Sequence, residues 1–83
     1  MFQVWFRPNQ QQGARLGIVV GKRVAPRAVD RNFVKRLIRE MFRKEQWRLN
    51  GLDVVVKLQK KPAKAWAREM REELLALFSK CRS

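Results

Sequence analysis

The stretch from Val29 to Trp47 constrains this chain more than any other, because its apolar residues and its charges fall on opposite sides of one helix. Phe33, Val34, Leu37, Ile38, Met41 and Phe42 recur at helical spacing and form a single wide stripe. Pro26 bars an earlier start, Asp30 in the first turn complements the positive end of the helix dipole, and Asn50 and Gly51 close the segment. At about 100° per residue, Arg31, Asn32, Lys35, Arg36, Arg39 and Arg43 occupy one continuous arc opposite the stripe, and no acid falls within it. A solvated helix face ordinarily mixes signs, since like charges four residues apart are destabilising by roughly 0.2–0.5 kcal/mol. Arg31, Lys35, Arg39 and Arg43 repel one another at that spacing. Helix stability does not account for them, whereas a polyanion partner does.

A helix of this kind needs an apolar surface to cover, and the remaining segments supply a small sheet. Residues 2–7 alternate, with Phe2, Val4 and Phe6 facing the core and Gln3, Trp5 and Arg7 facing away. The polar PNQQQGA reads as the loop of a hairpin leading into a second strand, RLGIVVG, whose core face is Leu16, Ile18 and Val20. Its other face is small, with Gly17 and Gly21 flanking Val19, and admits a close approach to the sheet. LDVVVKL, residues 52–58, is the third strand. After Lys60, Lys61 and Pro62 a last helix, about Ala63 to Lys80, turns Trp66, Met70, Leu74, Leu77 and Phe78 inward, and Trp47 joins the same core. The order β-β-α-β-α predicts a two-layer α+β domain spanning 1–83, with helices on one face of the sheet. At 83 residues, a chain burying only about 60% of its unfolded surface has room for one core.

Lys and Arg number 20 against seven Asp and Glu, a net charge of +13, which makes nucleic acid the first candidate partner. There is no His, and the single Cys81 lies close to the C-terminus. Ser-His and Cys-His nucleophile pairs, a disulfide framework and a thiolate metal cluster are therefore excluded within one chain, and a reducing cytoplasm is the expected setting. The opening MFQVWFRPN lacks the apolar core of a signal peptide, and no apolar run approaches the ~18 residues of a membrane span. Glu69, Glu72 and Glu73, the one carboxylate cluster, share a helix with Lys64, Arg68 and Arg71 and read as salt-bridging partners on a wet face. We expect no catalytic residue and no metal ligand in this chain.

The expected binding residues are consequently cationic and aromatic. Arginine predominates on the arc, which favours bidentate contacts to phosphate. Asn32 in its middle both donates and accepts, as reading a 2′-hydroxyl or a base edge requires. Lys22 and Arg23 leave the second strand, and Lys57, Lys60 and Lys61 close the third; if the strand ends lie beside the helix, the three sets surround a groove. For Trp5 and Arg7 two readings stand: they stack on an unpaired base, or Trp5 is covered by a missing neighbour or a helix.

RLGIVVGKRVAPRAVDRNFVKRLIRE resembles the strand, basic turn and signature helix of the protein subunit of bacterial ribonuclease P, whose pattern is close to R-N-R-x-K-R-x-x-R-E. Arg31, Asn32, Lys35, Arg36, Arg39 and Glu40 match in register, and GLDVVVK resembles the family's next strand. Phe33 stands where the pattern usually has an Arg; on the wheel it lies at the border of the apolar stripe, a place for packing in exchange for one phosphate contact. The resemblance implies a left-handed strand-helix-strand crossover and a small basic subunit of a ribonucleoprotein endoribonuclease. Its signature helix would lie beside the catalytic RNA, and a cleft between sheet and helix would hold the 5′ leader of precursor tRNA. The RNA, with Mg2+ in the holoenzyme, would carry out the hydrolysis, and no protein partner would be required. Family members usually carry a helix and an aromatic segment before the first strand, so the chain reads as an N-terminally short member. The alternative is a ribosomal or general structural RNA-binding protein. A helix-turn-helix DNA reader would need a short helix just before Arg31, which Gly21 to Arg27 does not supply.

Overall fold

LDVVVKL is the most apolar of the three strand segments, and it takes the most protected place. The computed structural model describes residues 1–61, 65 and 67–81. Its elements are β1 (Phe2–Pro8), β2 (Arg15–Val19), α1 (Ala28–Lys44), β3 (Leu52–Leu58) and α2 (Ala67–Ser79), the predicted β-β-α-β-α order. The sheet order is β1-β3-β2, with β1 antiparallel and β2 parallel to β3. In the central strand Leu52, Val54, Val56 and Leu58 are all buried, while Asp53, Val55 and Lys57 face the other way.

This order corrects the hairpin reading of PNQQQGA, because β1 and β2 do not pair. Crossing β3 takes the chain over two inter-strand gaps of about 4.8 Å each, which residues 9–14 span and a two-residue turn would not. The loop is fastened where it passes the start of β3: Asn9 N–H donates to Gly51 O and Gly51 N–H to Gly13 O, both at 2.8 Å. Gly51 has φ +83°, a conformation that glycine adopts at no steric cost.

The β2-α1-β3 unit lays α1 on one face of the sheet. Arg27 begins it without a side-chain cap, and Asp30 in the first turn lies 3.9 Å from the Arg27 guanidinium. Val34, Leu37, Ile38, Met41 and Phe42 go into the core as the stripe requires, and Phe33 is half-buried at its border. Phe42 meets Phe78 of α2 edge-on, with centroids 6.3 Å apart. Met70 and Leu74 complete the α2 contribution, and Leu77 is partly buried. Glu73 ties α2 to β1 by accepting the Phe2 N–H at 2.6 Å.

Three further expectations change. The α-helix ends at Lys44, and overlapping turns continue to Gly51. Trp47, in those turns, is 70% exposed and not part of the core. Phe6 lies opposite Val54 on the core side yet is 43% exposed, because α2 covers β1 at its Phe2 end and leaves the other end open. Of the expected first turn of the last helix, residues 63, 64 and 66, and with them Lys64 and Trp66, lie outside the described residues. Cys81 is buried, and that burial raises its thiol pKa.

These placements separate two phenylalanines that sequence alternation alone treats alike. Phe78→Ala should lower unfolding free energy in urea by about 3–5 kcal/mol, whereas Phe6→Ala should cost at most about 1 kcal/mol. Equal losses would show that the open end of β1 is covered after all.

Candidate nucleic-acid interface

The predicted arc divides once α1 is docked. Asn32, Arg36, Arg39 and Arg43 form an exposed crest, while Arg31 and Lys35 are half-buried on the flank. Arg31 is not a free cation: its Nη1 donates to the carbonyls of Ala25 and Pro26, each at 2.9 Å, fixing the basic turn to the start of α1. These bonds offset the cost of a cation near the positive end of the helix dipole. On the other flank a groove between the helices is floored by Phe33 and Leu37 and rimmed by Arg36, Arg39, Arg43, Glu40 and Arg71. Phe33 therefore makes an apolar wall where the family pattern has a cation.

Charge is segregated across the whole surface. Among the described residues none of Lys35, Arg36, Arg39 or Arg43 is paired with a carboxylate. The acids pair elsewhere: Asp30 with Arg27, Glu45 with Arg48, Glu72 with Arg68, and Glu40 with both Lys44 at 3.7 Å and Arg71 at 3.2 Å. Arg71, expected among the salt-bridging residues of the last helix, thus reaches α1 and borders the crest. Its three-residue spacing from Arg68 and Leu74 carries no sign of this; only the packing of α2 on α1 does.

Lys22 and Arg23, with Lys57, Lys60 and Lys61, are all exposed. Parallel pairing, with Val19 opposite Lys57, brings both groups to the sheet end where α1 starts. Trp5 and Arg7 are on the far side of the sheet, which neither helix covers, so they do not join the α1 crest. Trp5 is 46% exposed and lines a hollow with Arg7, Arg15, Gly17, Asp53 and Val55, so no helix of the described residues covers it. An added Cβ at Gly17 would meet Val55 Cγ2 at 3.5 Å, ordinary contact, so the sheet itself does not require glycine there.

Asp53 organises this face. Register places it between Arg7 and Arg15. Arg15 donates to both of its carboxylate oxygens, Nε at 2.9 Å and Nη2 at 3.3 Å, while Arg7 Nε lies 3.7 Å away. The Asn9 amide donates to the same carboxylate at 3.2 Å, and its own Oδ1 accepts the Gln11 N–H at 2.9 Å. The Asn9 hydrogen bond, helped by the two guanidinium groups, holds the Asp53 pKa below its ordinary value of 3.8. Arg15 was absent from the expected binding set, since nothing in its spacing links it to residue 53.

Fold and site define a class: a small basic α+β protein whose strand-helix-strand unit aims a cationic crest outward from a two-layer core. The profile of the ribonuclease P family matches residues 1–82, and the chain belongs to that family. It is 51% identical over 83 residues to the ribonuclease P protein component of Chromobacterium violaceum, covering 95% of this chain and 65% of the relative. The chain spans between 60% and 66% of the length of this and two further curated relatives, from Ralstonia pickettii and an Azoarcus species. The RNase P protein from Thermotoga maritima superposes with a TM-score of 0.76 at 35% identity, over 99% of this chain and 78% of that one. The Staphylococcus aureus RNase P protein gives 0.77 at 28% identity, over 99% and 77%.

A carboxyl group with a lowered pKa in the folded state stabilises the fold above its unfolded pKa, and this contribution is lost as pH falls through the folded value. Asp53→Asn should therefore be less stable than the parent at neutral pH, with the gap in urea midpoint closing below about pH 3.8. A gap that persists undiminished at pH 2 would show that the carboxylate charge is not what matters.

Proposed function

We propose that this chain is the protein component of a ribonuclease P ribonucleoprotein, which removes the 5′ leader of precursor tRNA, and that it contributes RNA binding while the RNA partner carries out hydrolysis in the cytoplasm. The observation that carries this reading is the α1 crest. Arg36, Arg39 and Arg43 project together without a carboxylate partner among the described residues, despite mutual repulsion. Phosphates of the catalytic RNA would neutralise them, and Asn32 among them would pair with a sugar hydroxyl or a base edge. Lys22, Arg23, Lys57, Lys60 and Lys61 extend the positive field around the sheet end.

The leader is assigned to the uncovered sheet face. The α1-sheet interface is filled by Val34, Ile38, Val54 and Val56, all fully buried, so no strand can enter between them. Across the open face Arg7, Trp5 and Lys57 offer two cations and a stacking surface to a single strand. Magnesium fits the RNA better than this chain: Asp53 is held by Arg15 and Asn9, Glu72 by Arg68, and Glu73 by the Phe2 N–H. When bound to the holoenzyme it would supply Lewis-acid chemistry at RNA phosphates.

Reconstitution with the cognate catalytic RNA tests the reading. Arg36 and Arg39 together changed to Ala should weaken assembly far more than Arg68 and Lys80 changed to Ala, although each variant loses two charges. The log-log salt slope should become shallower by about 1.4–1.8 only in the first case. Equal losses would favour a general structural RNA-binding protein, and magnesium-dependent cleavage by the protein without RNA would overturn the division of labour. Asn32→Ala, which removes no charge, should weaken assembly by roughly 5- to 150-fold through an unpaired buried partner, or ~1–3 kcal/mol. An unchanged affinity would place Asn32 outside the contact.

A further inference from the structure

Three unfavourable features meet just beyond the C-terminal end of α1. Trp47 is 70% exposed, the highest value among the exposed large apolar side chains described. Glu45, at the helix C-cap, is buried at the negative end of the dipole, where a carboxylate is disfavoured. Its Oε2 has no hydrogen-bond partner among the described residues, and the cation beside it is Arg48, with Nε at 3.3 Å. The Arg48 guanidinium carbon in turn lies 5.1 Å from the centre of the Trp47 ring. Neither the buried carboxylate nor the bare indole serves stability by itself. Together they form a stack, in which Glu45 pairs with Arg48, Arg48 lies over the Trp47 ring, and most of the indole is left to solvent.

We propose that Trp47, backed by Arg48, is a stacking platform for one unpaired base of the RNA that lies along α1. The proposal rests on reading the crest as an RNA-binding surface, and it adds a contact outside the signature helix. Overlapping turns continue the winding past Lys44, with Gln46 N–H donating to Arg43 O and Arg48 N–H to Glu45 O. Trp47 thereby follows Arg43 at a spacing of one turn, and a base on its exposed ring would set the adjoining phosphate near that unpaired guanidinium. The surroundings select the occupant. Among the described residues between Asp30 and Leu74 no other large apolar side chain is exposed, where a protein partner or a bilayer would need several. An aromatic ring preceded by Arg43 and Lys44 and backed by Arg48 suits a nucleobase.

The test uses a parent chain carrying Trp5→Ala, which removes the stacking surface of the open sheet face, and compares it with its Trp47→Ala and Trp47→Phe derivatives by fluorescence anisotropy of a labelled short oligouridylate and of a blunt RNA duplex. Trp47→Ala should weaken the single strand by roughly 5- to 150-fold and leave both the duplex affinity and the salt slope unchanged, since no charge is lost. Trp47→Phe, which keeps a ring, should retain most of the affinity. Unaltered single-strand binding by Trp47→Ala, or an equal loss on the duplex, would overturn the platform. A failure of the crest reading looks different: the parent would bind neither RNA in a salt-dependent way, and changing Arg36 and Arg39 would alter nothing.

Discussion

Parallel pairing of β2 with β3 is the contact on which the arrangement depends. Two neighbouring strands that run the same way cannot be joined by a tight turn, so the chain must travel back along the sheet between them. α1 makes that return. Its stripe meets the Leu52-Val54-Val56 face, and the opposite side of the helix is necessarily turned outward. The same pairing places Val19 opposite Lys57, so that cations leaving β2 and cations ending β3 arrive at one pole beside the helix start. One backbone register thus sets both the exposure of the crest and the position of the lysines around it.

The distribution of the few acids does the rest. With seven carboxylates against 20 cations, the chain cannot neutralise itself, and where the acids lie decides where the field is strongest. Asp53 tempers Arg7 and Arg15 on the open sheet face, and Glu40 marks the edge of the crest by holding Lys44 and Arg71. Between these boundaries Arg36, Arg39 and Arg43 keep their full charge. The open face is therefore the milder of the two surfaces, with an indole and shared guanidinium groups, and the crest the more strongly positive.

Much of this was legible from residue order, and the failures are specific. Helical spacing identified the buried residues of α1, and the short β-branched run of LDVVVKL identified the third strand. Phe33 was correctly placed at the border of the stripe. Trp47 was misplaced because it was grouped with the apolar stripe, whereas it lies in the turns beyond Lys44 with its ring 70% exposed. Phe6 was misplaced because alternation reports which face a residue takes, not whether another element reaches far enough to cover it. The supposed hairpin failed because a loop of residues 9–14 is long enough either to join neighbours or to pass over a strand, and local sequence does not distinguish them.

What the sequence by itself determined was every property that depends on near neighbours in the chain: element types and order, the segregation of apolar from cationic residues on α1, the lack of a His, and the basic signature register. The tertiary structure alone decided which distant groups share a surface. Strand order put Asp53 between two arginines, helix packing brought Arg71 to Glu40, and the docked turn bound Arg31 to the carbonyls of Ala25 and Pro26. The physical reason is range. Periodicity and capping act within about a turn of chain, while pairing and burial act between residues dozens of positions apart, where only the closed core selects one arrangement from many.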